Sequence, residues 1–323
     1  MRQLASLAAL AFAAIAALPF SAIAQTDARP LKIIVPYPAG GQTDAMARIL
    51  ADSMRKTLHR PVVVDNKPGA GGLIGLHALQ AAPADGDTVL MRDLALVIAP
   101  MLQKTATYNP NTDIVPVATV GRSDLFLMVP KDVPAKTVPE LIAYAKTLPG
   151  GISAGNNGIN TGAHIAAALF GKRTGVNVVH VPYKGSADAT MALITGDSKF
   201  QFNTTTDALA SHIKDGSVRI IATAAPVVST FAPGAPPVSQ FIPGAWPFEG
   251  YFSVFAVPGV APEKLGAITK ALELAVAEPG TRERFAALNV QTLYKPPAEV
   301  AKDIVRYQSM YRDLIKELGL EPQ

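Results

Sequence analysis

The segment Pro38-Ala39-Gly40-Gly41-Gln42-Thr43-Asp44 sets two glycines, a carboxamide, a hydroxyl and a carboxylate just before a run with helical spacing. The first N–H groups of a helix lack intrahelical partners and carry the positive end of its dipole, so this loop is suited to holding a carboxylate or phosphate. An ordinary helix cap made by Thr43 or Asp44 uses the same residues, and Asp44 itself can occupy the anion position. A second loop, residues 153–162, repeats the device with Gly155, Asn156, Asn157 and Thr161, whose amides and hydroxyl supply donors and acceptors to a polar ligand. Taken singly it reads equally as a solvated turn. Two such loops together point to a cleft.

Arg92 and Asp93 follow an apolar strand at 88–91, at the carboxyl edge where α/β sheets bind ligands. An arginine there is placed to meet a carboxylate in a bidentate pair, or else forms a surface feature with Asp93 or an ion pair with another part of the chain. The five histidines, His59, His77, His164, His180 and His212, show no metal-ligand spacing, so no metal is expected. His164, in the first turn of the helix after the second loop, is within reach of a cleft. Residues 151–155 match the G-x-S-x-G nucleophile pattern, but that elbow needs its serine at a sharp strand-to-helix turn, and here the helix begins several residues later. Ser153 is therefore not expected to be a nucleophile, no catalytic residue is assigned, and an esterase is the weakest reading. Residues 69–75 miss the G-x-G-x-x-G spacing by one position and no P-loop is present, so no nucleotide cofactor is expected.

The elements that must position these residues alternate. A strand at 31–36 precedes the first loop, and Met46, Ile49, Leu50, Met54 and Leu58 mark a helix over 44–58. A strand at 62–64, a helix at 73–81 and a strand at 88–91 follow, which predicts a parallel α/β sheet. A second series begins with a strand at 125–129 and continues with a helix at 138–148, a strand at 152–154, a helix at 161–173, a strand at 176–181, a helix at 187–195, a strand at 199–203, a helix at 207–214 and a strand at 218–223. Residues 225–247 are dense in proline, glycine and serine and read as an irregular connection. A strand at 251–257 and helices at 262–277, 281–288 and 298–318 complete the chain. The expectation is an α/β protein of two lobes, each a sheet flanked by helices. Residues 25–123 and 251–323 form lobe 1, 124–250 form lobe 2, and two crossings near Ser123 and Gly250 serve as a hinge.

Composition narrows the class. Arg2, an apolar run over residues 4–18 and the small-x-small site Ala22-Ile23-Ala24 read as a signal peptide over residues 1–24, cleaved before Gln25 and directing the chain to the periplasm. No cysteine occurs, which removes disulfides, thiol catalysis, thiolate metal sites and the acylated cysteine of a tethered lipoprotein. The 323 residues exceed the usual single domain and fit two lobes. The net charge of +4 is spread along the chain and leaves no nucleic-acid footprint.

Four ordered blocks carry a resemblance: VPYPAGGQTD (35–44), VVVDNKPGAGG (62–72), PADGDT (83–88) and HVPYKG (180–185). With these the chain resembles the substrate-binding proteins of tripartite tricarboxylate transporters, also called Bug receptors, over essentially its whole mature length. The resemblance implies a Venus-flytrap fold closing on a carboxylated solute. The first loop would hold a carboxylate partly through ordered waters, and the second helix start would grip from across the cleft. Carried over by position, Tyr37, Gly41, Thr43 and Asp44 belong to the first loop, and Gly155, Asn157 and Thr161 to the second.

Two departures bear on the ligand. Members similar to acidic amino-acid binders have an acid where this chain has Asn203, which argues against an amino-acid ligand. Residues 91–94 replace a loop that is usually small and hydroxyl-rich, and add the cation of Arg92. The candidate ligand-binding set is Tyr37, Gly41, Gln42, Thr43, Asp44, Arg92, Gly155, Asn156, Asn157, Thr161, His164 and Asn203. The expected activity is capture of a non-amino dicarboxylate or an aromatic carboxylate by a monomer that delivers it to the membrane subunits of a transporter. Presentation of the bound acid to a membrane kinase is the alternative.

Overall fold

The computed structural model describes residues 29–322 apart from positions 160, 184, 185, 206, 245 and 247, and at residues 186, 207, 208 and 249 the backbone alone. The signal-peptide expectation for residues 1–24 lies outside the described residues.

The chain runs through β1 (Leu31–Val35), α1 (Gln42–Leu58), β2 (Val62–Asn66), α2 (Leu73–Gln80), β3 (Thr88–Asp93), α3 (Ala95–Leu102) and β4 (Val115–Asp124). It continues with β5 (Phe126–Pro130), α4 (Val138–Lys146), β6 (Ile152–Asn156), α5 (Gly162–Thr174), β7 (Val178–Pro182), α6 (Ser186–Thr195), β8 (Gln201–Asn203), α7 (Asp207–Lys214) and β9 (Val218–Thr223). The last elements are β10 (Glu249–Ala256), α8 (Pro262–Ala277), α9 (Pro279–Ala287), β11 (Gln291–Lys295) and α10 (Pro297–Leu318).

The first sheet has the order β11-β4-β10-β3-β1-β2. Its β2-β1-β3 part is parallel as the alternation predicts, but β10 is antiparallel to both β3 and β4, and β11 is antiparallel to β4. The sheet is therefore mixed, a correction to the expected parallel one. The physical reason is that β10 enters between β3 and β4 as the chain returns from the second region, running opposite to both, and the chain then crosses over through α8 and α9 to lay β11 on the far side of β4. In the second region β5 lies antiparallel between β8 and β9, β6 pairs parallel with β7, and an Ala154–Phe200 bridge links the two sets.

Two elements that position the cavity carry no clear period. β4 is interrupted by Pro116 and Gly121 and pairs with β10 through register shifts, and α3 is apolar almost throughout with Pro100 inside it. By contrast α1 shows the expected stripe, with Met46, Leu50 and Met54 fully covered.

The strands of the first sheet come from 31–124 and 249–295, those of the second region from 126–223. The chain passes between the two at Asp124–Leu125 and again before Gly250, where Ser123 and Gly250 are paired neighbours on β4 and β10. A column of aromatic rings spans the junction. Phe170, Phe200, Phe202, Trp246, Phe248, Tyr311, Tyr307 and Tyr251 follow one another with centroids 5.3 to 6.4 Å apart. Arg173 on α5 adds a forked pair to Glu317 on α10, with both nitrogen–oxygen distances 3.0 Å. Among the described residues no helix is long and apolar enough to cross a membrane.

Candidate ligand-binding cleft

A cavity of about 460 Å³ opens between the two sheets. That volume is in the range of small-molecule sites. Three helix starts border it. α1 contributes Gly41, Gln42 and Thr43, α5 contributes Gly162 and Ala163, and α3 contributes Asp93, Leu94 and Ala95. The strand crossing adds Ser123, Leu125, Gly250 and Phe252, and the aromatic column adds Phe248, Tyr307 and Tyr311.

The start of α1 is held open by its neighbours. Gly41 is the N-cap, in extended conformation and with no side chain to bond the first amides. Asp44, one turn in, accepts from the Gly40 N–H at 2.9 Å, from Arg48 Nε at 3.0 Å and from Asn66 Nδ2 at 3.0 Å, and Asn66 also donates to the Tyr37 carbonyl at 3.1 Å. Gln42 donates to the Leu288 carbonyl at 2.8 Å. The loop is thus pinned at four points, while the amides of Gln42 and Thr43 belong to the unpaired first turn at the cavity wall. Burial raises the Asp44 pKa, but the hydrogen bonds from Arg48, Gly40 and Asn66 outweigh it and hold the group below its ordinary value of 3.8. Asp44 is consequently an anion in its own right, paired with Arg48 at 3.0 Å, and braces the loop instead of lining the cavity.

The start of α5 is finished differently. Thr161 is its N-cap, accepting from the His164 N–H at 3.3 Å and donating to the Gly158 carbonyl at 2.8 Å. Asn156 turns its Oδ1 to the Gly158 N–H at 3.1 Å, and the Gly155 N–H donates to Ser198 Oγ at 2.7 Å. His164 lies edge-on to His180, their ring centroids 4.7 Å apart, and burial with the like charge of His180 lowers its pKa to about 4. Of the second-loop candidates the cavity wall contains Asn157, whereas Gly155, Asn156, Thr161 and His164 stand behind it.

Arg92 departs from expectation. Its side chain is 3 % exposed and is absent from the cavity wall. The guanidinium turns beneath the sheet edge, where NH2 donates to the Gly71 carbonyl at 2.7 Å and Nε sits 3.7 Å from Asp93 Oδ1. The Gly69–Gly72 turn makes room for it, since a Cβ on Gly72 would lie 2.6 Å from the guanidinium. Asp93 faces the cavity instead. It accepts from the Tyr37 hydroxyl at 2.8 Å and from the Ala95 N–H at 3.1 Å. Burial first, then the Asp93 charge, drives the Tyr37 pKa up, so the phenol stays protonated as the donor.

Tyr37, Gly41, Gln42, Thr43, Asn157 and Asn203 are the sequence candidates found in the wall. Asn203 is committed internally, its Nδ2 donating to Thr190 and Gln201 at 3.3 Å and its Oδ1 accepting from the Thr204 N–H at 2.9 Å. Tyr307 and Tyr311 were missed because aromatic residues four apart on an amphipathic helix have the signature of core packing. Ser123, Gly250 and Phe252 sit where the chain changes sheets, which the expected crossing points could have flagged.

Ser153 lies in the middle of β6, accepting from the Lys199 N–H at 3.1 Å and donating to the Asp197 carbonyl at 3.3 Å, so the elbow geometry is absent. Among the described residues no group of three or more histidine or acidic side chains could hold a metal.

Comparison with known proteins places this geometry. Residues 46–320 match the model of the tripartite tricarboxylate transporter family receptor, TctC. The chain is 31% identical over 292 residues to protein BugT of Bordetella pertussis, covering 88% of this chain and 89% of BugT. It is also 31% identical to a protein encoded in the gbd 5′ region of Cupriavidus necator, covering 90% and 88% of the two chains. The solved structure of the periplasmic binding protein BugD superposes with a TM-score of 0.79 at 30% identity, covering 92% of this chain and 99% of that one. The family-model match over residues 46–320 and the identity to BugT agree with this two-lobed α/β architecture and its cavity walled by helix starts: this chain is a member of the tripartite tricarboxylate transporter receptor family, a family of solute-binding receptors.

Proposed function

We propose that the protein captures a small carboxylate in the periplasm, after removal of residues 1–24, and delivers it to the membrane subunits of a tripartite tricarboxylate-type transporter. The observation that carries this reading is the start of α1, where a glycine N-cap leaves the first turn at Gln42 and Thr43 without a side-chain cap in the cavity wall while Asp44 and Asn66 brace the loop. A ligand carboxylate completes that helix start. The passages at Asp124–Leu125 and Gly250 act as the hinge between residues 25–123 with 251–323 and residues 124–250, and the aromatic column is the surface along which the lobes stay in contact. Of the two ligand classes admitted by the sequence, the wall favours the aromatic carboxylate. Leu94, Ile98, Phe248, Phe252, Tyr307 and Tyr311 offer apolar surface, and of the features that favoured a diacid, two anion-suited helix starts and Arg92, the start of α5 is capped by Thr161 and Arg92 lies beneath the wall.

Thermal unfolding of the purified receptor against a panel of organic acids, amines and sugars tests the proposal. A ligand at 100 times its Kd stabilises by about 2.7 kcal/mol. Stabilisation by aromatic monocarboxylates is the expected result. Stabilisation by sugars or simple amines alone contradicts it.

A further inference from the structure

The wall of the cavity has an unusual charge pattern. Among the described residues that line it, none is lysine, arginine or histidine, and one is a carboxylate, Asp93. The nearest cation, Arg92, is buried and outside the wall, and its Nε forms an ion pair with Asp93 Oδ1 at 3.7 Å, longer than a hydrogen bond. The two oxygens of Asp93 each take one protein donor, the Tyr37 hydroxyl on Oδ2 and the Ala95 N–H on Oδ1. A carboxylate has about four acceptor positions. Asp93 is a third exposed, so its remaining acceptor capacity is open to the cavity. The rings of Tyr37, Phe248, Phe252, Tyr307 and Tyr311 line the same cavity, and Tyr37 bonds Asp93 directly.

Of the three helix starts at the cavity, α3 already has its anion: Asp93 accepts the Ala95 N–H there. α5 has its threonine cap. A ligand carboxylate therefore goes to α1, and whatever the ligand presents at the α3 end meets a fixed negative group. A second carboxylate there would meet the Asp93 carboxylate directly, with the offsetting charge of Arg92 behind it and outside the wall. An ammonium would receive a charge-assisted hydrogen bond and the aromatic faces that favour cations.

We propose that Asp93 is the specificity-determining residue of the cleft and selects carboxylates that carry a protonated nitrogen at their far end. This rests on the reading of α1 as the carboxylate site. It reverses the expectation of a ligand without an amino group, which rested on Asn203, because an acid enters the same cavity from β3.

The test is isothermal titration calorimetry of the purified receptor with matched ligands. One series is benzoate bearing a 4-aminomethyl, 4-hydroxymethyl, 4-methyl or 4-carboxy group, and the other is aliphatic carboxylates with the same four groups at the terminal carbon. In at least one series the amine should bind about tenfold or more tighter than the methyl compound, with the diacid weakest. Asp93→Asn should remove the amine preference, read as the ratio of amine to methyl-compound affinity in the variant against the same ratio in the unmodified receptor. Tightest binding of a diacid, equal binding of amine and methyl compounds, or an amine preference that persists in Asp93→Asn overturns the assignment of Asp93 and leaves the carboxylate reading standing. No binding of any carboxylate in either series overturns both. If Asp93→Asn does not fold, the ranking in the unmodified receptor decides the matter by itself.

Discussion

The starts of α1 and α5 border one cavity, yet they are completed in opposite ways. At α5 the chain supplies its own cap, with Thr161 bonded both to the His164 N–H and to the Gly158 carbonyl. At α1 the N-cap is Gly41, with no side chain, and the nearby carboxylate of Asp44 reaches back to Gly40 and sideways to Arg48 and Asn66. A self-capped helix start is a structural part. One whose bracing surrounds an open first turn leaves its amides to an outside partner. The difference separates the two loops that look alike in sequence, and it is the ground on which the ligand carboxylate is proposed to bind at the first.

The comparison breaks most severely if α1 is given its own cap. Gly41 has φ −76° and ψ 167°, the extended geometry of an N-cap, and a Cβ there would touch the Pro38 carbonyl at 3.4 Å. Gly41→Asp should therefore fold, with stability changed by only a few tenths of a kcal/mol, while carboxylate affinity falls on the order of 100-fold. Calorimetric titration beside thermal unfolding checks both halves.

Removing the brace is next in size. Asp44→Asn keeps the shape but loses the charge that Arg48 meets, and should cost about 1–3 kcal/mol in urea unfolding. The same group sets a pH dependence. Its folded pKa lies below 3.8, so its contribution is complete above that value and is lost as pH falls through the folded pKa. The variant should lack this acid-side loss. On the other loop, Thr161→Ala should cost about 1 kcal/mol and leave carboxylate affinity within a few fold, since the cap serves the helix.

His164 gives the second loop a pH dependence of its own. Its pKa is lowered from 6.5 to about 4, chiefly by burial, so the folded protein holds it neutral where the unfolded chain binds a proton. Its unfavourable contribution grows as pH falls from 6.5 toward 4. The midpoint of thermal unfolding should decline over that window, less steeply in His164→Gln.

Much of the scaffold was legible because periodicity marks it plainly. The stripe of Met46, Ile49, Leu50 and Met54 locates α1 within two residues of its start, and the branched strands β1 and β2 are read from composition. β4 and α3 were not seen, because Pro116 and Gly121 break the alternation in one and uniform apolarity hides the period of the other. The antiparallel entry of β10 is a long-range pairing with no local signal. The cavity was half legible for the same reason. Helix-start residues such as Gly41, Gln42 and Thr43 carry a local chemical pattern, whereas Tyr307 and Tyr311 reach the cavity only through tertiary packing. Arg92 and Asp93 show the limit most sharply. Adjacent residues on a strand point to opposite faces, and sequence placed the cation in the cleft where the fold puts the acid.

The central claim is that the first turn of α1 receives the ligand carboxylate, and amide NMR of the ¹⁵N-labelled receptor tests it most directly. On titration with 4-methylbenzoate, the account predicts saturable shifts of the Gln42 and Thr43 amides that exceed those of Gly162 and Ala163 and disappear in Gly41→Asp. Shifts centred on Gly162 and Ala163, with Gln42 and Thr43 unmoved at saturation, would contradict it.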